Sequence, residues 1–221
     1  MSEIEAIYAH RFSEAERVQK AALWQVLCRH FFQRYIHPSD TVLDLGAGFC
    51  EFINHIECAA RIAVDVSAET AHFARPGVQV YQTPATDLSP IPSCSVDLVF
   101  CSNFFEHLPD KPTLGQVLEE IWRVLKPAGR LMILQPNIKY LYAEYWDFFD
   151  HHIPLSHLSM VEALVSHGLE PKVVIPRFLP FTTKSALPKT GLFVRLYLML
   201  PAVWRILGRQ MFILAEKRGR E

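Results

Sequence analysis

Two spacings of apolar residues alternate between residues 41 and 135 of this chain. Short apolar runs indicate strands buried on both faces, whereas apolar side chains three and four positions apart indicate helices. The runs predict strands at 42–45, 61–65, 78–81, 96–101 and 130–134. Because helical segments separate these strands, we expect βαβ units and a mostly parallel sheet with right-handed crossovers.

Helical and strand patterns also flank this region. Before Pro38 the spacing predicts helix, and an amphipathic helix from residue 114 is expected to stop at residues 126–129. Later segments predict a helix at 159–167, a strand at 172–175, a helical segment at 191–207 bent at Pro201, and a last strand at 211–215. The expected fold is α/β and Rossmann-like: a seven-stranded, mostly parallel sheet with an antiparallel last strand and helices on both faces.

Composition narrows the class of protein. Half of the residues are hydrophobic and the formal net charge is −1, as in an ordinary globular protein. The five cysteines form no CxxC pair, which argues against zinc and disulfide frameworks and favours a reducing cytoplasm. No uninterrupted apolar segment reaches the length of a bilayer span. We therefore expect a cytoplasmic protein.

The segment 42–52 reads as a buried strand, a glycine turn and a helix that continues to about Ile56. Glycines at 46 and 48 let the backbone turn sharply and approach a ligand closely. Asp65 ends the next strand, ~20 residues on, where a carboxylate can hold two ribose hydroxyls. A plain tight turn is the alternative. Glu51 stands where a dinucleotide site carries its third glycine, which disfavours a pyrophosphate and favours S-adenosylmethionine.

Three motifs then resemble class I S-adenosylmethionine-dependent methyltransferases of the methyltransferase type 11 subgroup. Residues 43–48 (LDLGAG) resemble the first motif of these enzymes, with Asp65 as the acid of the second strand. Residues 95–100 with 102–108 (SNFFEHL), and residues 120–129 (EIWRVLKPAG), are similar to later motifs of the subgroup. Ala128 departs from the usual pair of glycines there. The resemblance covers roughly residues 41–135.

The resemblance implies where the cofactor lies. Residues 44–48 would face its methionine part, Asp65 its ribose, and residues 85–88 with 103–104 its adenine. Pro84 stands where many relatives carry an acid, which leaves Asp87 open as the acceptor of the adenine amine. The expected cofactor-binding residues are Asp44, Gly46, Gly48, Asp65, Val66, Ala85, Thr86, Asp87, Asn103 and Phe104. Tyr8 and Arg11 are expected to fold over the cofactor.

Histidines near the expected reaction centre are the candidate catalytic residues. His151 and His152 follow Asp150 in the substrate-side part of the chain, and His107 follows the fourth strand. A carboxylate beside a histidine can orient a general base. His107 can equally hold its loop in place. A metal shared with Asp147 or Asp150, and plain surface histidines (His157 among them), are the alternatives; the spacing fits no standard metal site, so none is expected.

The C-terminal part combines apolar and basic residues. In 191–208, Leu192, Phe193, Leu196, Leu200 and Trp204 alternate with Arg195 and Arg205. Such a helix either packs on the sheet with its charges in water, or lies at a membrane surface or lines a groove for a lipid-linked or acyl-bearing substrate. The aromatic residues at 140–149 lack interleaved bases, so no nucleic-acid partner is expected.

These observations predict one methyltransferase domain over 1–221, with a helical cap at 1–37, a cofactor-binding half at 38–135 and a substrate-side half with helical insertions at 136–221. The predicted reaction is methyl transfer from S-adenosylmethionine to an oxygen of a small molecule, a sugar or a lipid-linked intermediate. Methylation of nitrogen or carbon in a small metabolite is the alternative enzyme activity. A non-catalytic protein that binds the cofactor is the alternative of a different class.

Overall fold

One seven-stranded sheet organises the computed structural model, which describes residues 14–181 and 191–219. The strands lie in the order β3-β2-β1-β4-β5-β7-β6, and β7 alone runs antiparallel to its neighbours. They are β1 (Thr41–Leu45), β2 (Ala60–Asp65), β3 (Val78–Gln82), β4 (Val96–Ser102), β5 (Leu125–Pro136), β6 (Leu169–Ile175) and β7 (Gln210–Lys217). The predicted fold class is confirmed.

Helices cover both faces of the sheet. They are α1 (Glu14–His30), α2 (Thr70–Phe73), α3 (Lys111–Val124), α4 (Ile138–Leu141), α5 (His157–Ser166), α6 (Gly191–Leu198) and α7 (Pro201–Leu207), with 3₁₀ turns at Phe32–Tyr35, Phe105–His107 and Glu144–Asp147. Alternate residues of each central strand enter opposite cores: Leu43 packs with α3 and α5, whereas Val42 packs with α1, α6 and α7. Within the described ranges, no helix has the length and apolar character needed to cross a membrane.

Ala128, which departs from the third motif, lies shortly after the end of α3. Asp110 caps the helix by accepting a hydrogen bond from the backbone N–H of Thr113, and the helix ends at Val124. β5 begins at the next residue, and its pairing with β4 shifts register between Leu125 and Arg130. Ala128 lies in this irregular part of the strand and adopts the left-handed conformation with φ of 59°, which glycine adopts without strain and alanine at a small conformational cost.

The prediction of a helix after the glycine turn is wrong. Residues 48–55 form successive turns, in which the N–H of Cys50 donates to the carbonyl of Ala47 and the N–H of Asn54 donates to the carbonyl of Cys50. Cys50 has a φ of 58°, and a left-handed residue interrupts a right-handed helix. The apolar residues of this segment are therefore buried within turns and do not form one face of a helix.

Ser67 lies in the turn between β2 and the next helix, and it does not cap that helix. That helix, α2, begins at Thr70, and its N-cap residue Glu69 makes no side-chain hydrogen bond. The Ser67 hydroxyl instead accepts from the N–H of Glu69 at 3.2 Å. The hydroxyl therefore tightens the turn that leads into α2.

Candidate active site

The carboxyl ends of β1, β2 and β4 lie side by side, at the point where the strand order reverses. In open α/β sheets, ligands bind at this edge. The turn after β1 is fixed to β2, because the N–H groups of Gly46 and Ala47 donate to the carbonyl of Val64 at 2.9 and 3.1 Å. The glycine turn of the first motif and the end of β2 thus meet at one edge of the sheet.

The Asp65 carboxylate joins the glycine turn to the end of β2. One oxygen accepts from the N–H of Gly48 at 2.7 Å, and the other accepts from the N–H of Ser67 at 2.9 Å. Each carboxylate oxygen keeps a further lone pair, so the half-buried group can still accept from two hydroxyls. Val66 follows with 53% of its surface exposed and offers an apolar face beside it.

Gly46 and Gly48 have different surroundings, although both have positive φ, of 74° and 49°. A Cβ on Gly46 would lie 2.6 Å from Cδ2 of the Phe104 ring, whereas a Cβ on Gly48 would meet nothing within 4 Å. The ring of Phe104 therefore packs on the first glycine, and space remains open beside the second. The open space beside Gly48 thus borders the carboxylate of Asp65.

Asp44 lies beneath the turn. Its side chain is buried, and burial holds the pKa of this carboxyl well above its usual range; the charges of Glu51 and Asp65 act in the same direction, and a backbone hydrogen bond from Ile53 opposes them. Asp44 therefore supports the glycine turn from the protein interior.

The predicted adenine loop is held by α3. The N–H of Leu88 donates to Glu120 at 2.8 Å, and the Arg123 guanidinium donates to the carbonyl of Leu88 at 2.8 Å. The hydrogen bond with Arg123 also lowers the pKa of Glu120. Two residues of the third motif thus fix the backbone of the loop.

The other residues of this loop differ in exposure. Ala85 and Thr86 are half-buried, and Ala85 packs against the core. Asp87 is exposed, and its hydrogen bonds with Ser89 lower the pKa of its carboxyl. The carboxylate of Asp87 therefore stays ionised at the surface of the loop.

Asn103 turns the chain at the end of β4. Its φ is 46°, its N–H donates to the carbonyl of Leu134 at 2.8 Å, and its amide contacts the hydroxyl of Ser102. This left-handed residue directs the following Phe104 ring onto Gly46.

His107 lies next to the substrate-side half. Its Nδ1 is 2.9 Å from the backbone oxygen of Asp150 and 3.3 Å from the carboxylate of Asp150. Since a carbonyl oxygen only accepts, Nδ1 donates in this contact and Nε2 is left for other partners. The side chain keeps 22% of its surface exposed. The acid expected beside His151 and His152 thus orients His107 instead.

His151 and His152 point in opposite directions. Residues 151–155 alternate between buried and exposed, so His151 faces inward, where its ring meets those of His107 and Tyr145, and His152 faces outward. The imidazole of His152 makes no hydrogen bond with the described residues, whereas its backbone N–H donates to the carbonyl of Glu106 at 2.7 Å. The structure brings His107 and His151 together and leaves His152 outside.

Glu106 is a site residue that the sequence interpretation missed. Its carboxylate is buried, accepts a hydrogen bond from the Gln135 amide at 2.7 Å and lies 4.0 Å from Nε2 of His107. Burial raises the pKa of this carboxyl, and the neighbouring His107 opposes the shift. The sequence did carry a signal for Glu106, because this carboxylate lies between the apolar Phe105 and the candidate base His107 in the second motif.

The remaining polar residues after β5 lie apart from this cluster. Asp147 is exposed, and His157 contacts the Asn137 amide at 3.0 Å and stacks on Tyr140. Tyr8 and Arg11 lie outside the described residues. Further along, Lys20 on α1 pairs with Glu51 at 3.0 Å, so the N-terminal helix does contact the glycine turn.

A shallow cavity lies at the opposite edge of the sheet. It is lined by residues at the amino ends of the first three strands, among them Thr41, Ala60 and Gly77. Since ligands of such sheets bind at the carboxyl ends, this cavity is not part of the candidate site.

Comparisons with known proteins agree with this geometry. A family model described as a methyltransferase domain matches residues 43–133. A demethylmenaquinone methyltransferase from Symbiobacterium thermophilum is 26% identical over 190 residues, 77% of this chain and 74% of that protein. A trans-aconitate 2-methyltransferase from Azoarcus sp. is 35% identical over 102 residues, 44% of this chain and 39% of that protein. The crystal structure of a methyltransferase from Archaeoglobus fulgidus has the same fold, with a TM-score of 0.65, 21% identity, and coverage of 89% of this chain and 94% of that one.

The fold, the glycine turn and these relatives define a class I methyltransferase whose methyl donor is S-adenosylmethionine. Within that class, residues 43–133 are similar to the methyltransferase type 11 subgroup.

Proposed function

We propose that this enzyme methylates an oxygen atom of a small molecule, a sugar or a lipid-linked intermediate. The observation that carries the proposal is the Asp150–His107 pair, because an imidazole oriented by an acid can take the proton of a hydroxyl acceptor. The methyl group of S-adenosylmethionine is electrophilic, so the main tasks of the enzyme are to place the acceptor in line and to remove its proton.

Residues at the carboxyl edge would hold the cofactor. Asp65 would accept from both ribose hydroxyls, and Gly48 leaves the space that the cofactor needs. Gly46 and Asp44 shape the turn beside the methionine part. The adenine would lie among the following residues: Val66, Ala85, Thr86, Asp87, Asn103 and Phe104.

We expect the inward histidines to matter for turnover more than the outward one. Replacing His107 with Asn should lower kcat by ~10²-fold or more, the usual contribution of a general base, and leave cofactor affinity unchanged. Replacing His152 with Asn should change kcat little, since its ring faces away from the cluster. The acceptor is first found by a mass-shift screen of pooled metabolites and lipid extracts, and both variants are then compared on it.

Equal loss of turnover in both variants would contradict the assignment of His107. If neither variant loses turnover, the acceptor needs no base, as with a carboxylate, and the O-methylation proposal would be confined to such acceptors. The relatives carry names with different acceptors, demethylmenaquinone and trans-aconitate. Methylation of carbon or nitrogen is therefore the outcome that the product's mass spectrum must exclude.

The exposed face of 191–208 supports a second proposal, contact with an anionic membrane surface. Helices α6 and α7 bury Leu198 and Trp204 against the sheet. Trp204, expected on the apolar surface, faces the core and donates to the carbonyl of Tyr197. Seven large apolar side chains nevertheless remain exposed: Leu192, Phe193, Leu196, Met199, Leu200, Ile206 and Leu207. Exposed large apolar side chains concentrated in one segment are typical of an interaction site.

Positive charge accompanies this apolar face. Arg195 and Arg205 are exposed within it, and the segment 191–208 contains no acidic residue. Arg195 also lies near Arg29 and His30 of α1; burial, followed by the charges of these two arginines, lowers the pKa of His30. Apolar side chains bordered by arginines are typical of helices that lie in a membrane interface.

Binding to vesicles tests this contact. Each arginine near an anionic surface contributes about 1 kcal/mol, so a variant with Arg195→Gln and Arg205→Gln should bind phosphatidylglycerol vesicles ~30-fold more weakly. Lys111→Gln, which removes an exposed charge at the start of α3, is the matched control and should bind as the wild type does. Flotation measures the partition. Absence of vesicle binding by the wild type, or a dimer that buries this face in sedimentation, would refute the proposal.

A further inference from the structure

Glu106, His107 and His151 place three metal-ligating side chains around one point. One ligand atom from each lies within 4.8 Å of the other two. The three come from two separate segments, the 3₁₀ turn after β4 and the segment after α4. The N–H groups of His152 and Ile153 fasten these segments by donating to the carbonyl of Glu106. The backbone therefore holds the cluster together independently of any side-chain bond among the three.

Two of the three side chains, Glu106 and His107, each have a hydrogen-bond partner outside the cluster that fixes the orientation of the side chain. Gln135 donates to one oxygen of Glu106 and leaves the other facing His107. Asp150 accepts from Nδ1 of His107 and leaves the Nε2 lone pair facing Glu106. Metal sites share this arrangement. The ring nitrogen of a ligating histidine that does not bind the metal donates to a carboxylate or carbonyl, and a ligating carboxylate accepts a hydrogen bond from a neighbour.

The surroundings of Glu106 also leave room for a cation. Glu106 is 1% exposed, and among the described residues no lysine or arginine pairs with it. A buried carboxylate is stable when a positive group compensates its charge. The 4.0 Å between Nε2 of His107 and the Glu106 oxygen is too long for a hydrogen bond, but it is near the separation of two atoms that ligate one ion, roughly 3–4 Å.

We propose that Glu106, His107 and His151 bind a divalent first-row transition metal ion. Two imidazoles and one carboxylate suit zinc, manganese, cobalt or iron, and suit magnesium poorly. Three protein ligands leave coordination positions open, and the partly exposed edge of His107 gives access to them.

The use of this ion in catalysis rests on the proposed function. An acceptor hydroxyl bound at an open position would lose its proton to solvent water, because the ion lowers the pKa of the hydroxyl. The oxygen then forms a bond with the donor's methyl carbon as the carbon–sulfur bond breaks, and the sulfonium becomes a neutral thioether. His107 would in that case act as a ligand and not as the base.

Metal titration of the full-length protein tests the site without any methyl acceptor. Calorimetry with Zn²⁺ and visible absorption with Co²⁺ should both show one site. Glu106→Gln and His151→Asn should weaken binding at least about 100-fold, and Gln135→Met, which removes an outer partner, about 10–100-fold. His152→Asn is the matched control, since this neighbouring histidine faces outward, and its metal affinity should stay within twofold of the wild type.

Thermal melting and S-adenosylmethionine binding show whether each variant is folded. Absence of a Zn²⁺ or Co²⁺ signal with the wild-type protein overturns the proposal. So does binding that persists unchanged in folded Glu106→Gln, because the ion then sits on other histidines. Either result leaves O-methylation intact with His107 as base, whereas failure of the acceptor screen would remove O-methylation and leave the metal result standing.

Discussion

Replacement of Asp65 with alanine is expected to lower the affinity for S-adenosylmethionine by at least about 100-fold. Two charge-assisted hydrogen bonds to ribose hydroxyls would be lost, each contributing roughly 1.5–3 kcal/mol. The variant also loses the acceptor of the Gly48 N–H, so the glycine turn becomes less ordered. The two effects act in the same direction on cofactor binding.

Calorimetry with S-adenosylmethionine and its demethylated product measures this loss. Asp65→Asn serves as the graded variant, since the amide keeps one oxygen acceptor and should bind with intermediate affinity. Melting temperatures show whether a loss of binding comes from unfolding. Affinity within threefold of the wild type in folded Asp65→Ala would exclude Asp65 as the ribose ligand.

Alanine at Gly46 should destabilise the protein more than alanine at Gly48. Both substitutions place a side chain at positive φ, which costs roughly 1–2 kcal/mol. Only the Cβ at position 46 would also collide with the Phe104 ring, at 2.6 Å. Forced displacement of packed groups typically costs about 1–3 kcal/mol more. Gly48→Ala should instead reduce cofactor affinity, because its Cβ enters the open space proposed for the ligand.

Phe104→Ala separates the two contributions. In that background, the excess destabilisation by Gly46→Ala should disappear, since the colliding ring is gone, and a double-mutant cycle on the free energy of unfolding measures the coupling. Equal destabilisation by the two glycine variants, with no coupling to Phe104, would show that the ring moves away freely. Unchanged affinity in Gly48→Ala would place the cofactor elsewhere along the turn.

Regular patterns in the sequence were sufficient to predict the sheet. In β1, Val42, Leu43 and Leu45 are apolar because both faces of the strand are buried, and Leu43 and Val42 do enter the two different cores. The turns at 48–55 were mistaken for a helix because their apolar residues also recur at helical spacing. The left-handed Cys50 that interrupts them leaves no signature in composition, since cysteine is not a residue that favours this conformation.

The cofactor side of the site was more predictable than the acceptor side. Asp65 and the glycines lie at the carboxyl ends of two adjacent parallel strands that follow each other in the chain, so a short sequence separation brings them together. The pairing of Asp150 with His107 joins residues 43 positions apart in the sequence, and it depends on how the segment after α4 folds back. Adjacency of Asp150 to His151 in the sequence gave no indication of the contact with His107, because that contact depends on how distant segments fold together.

The placement of β7 between β5 and β6 has a consequence for the order in which the protein is built. β6 touches the sheet only through β7, and residues 176–209 separate the two strands in the chain. During synthesis, β6 therefore has no partner until β7 has left the ribosome, whereas β1–β5 can pair earlier. The half that carries the donor site can therefore fold first. The edge strand β6 joins the sheet late, and until then its backbone N–H and C=O groups form hydrogen bonds with water.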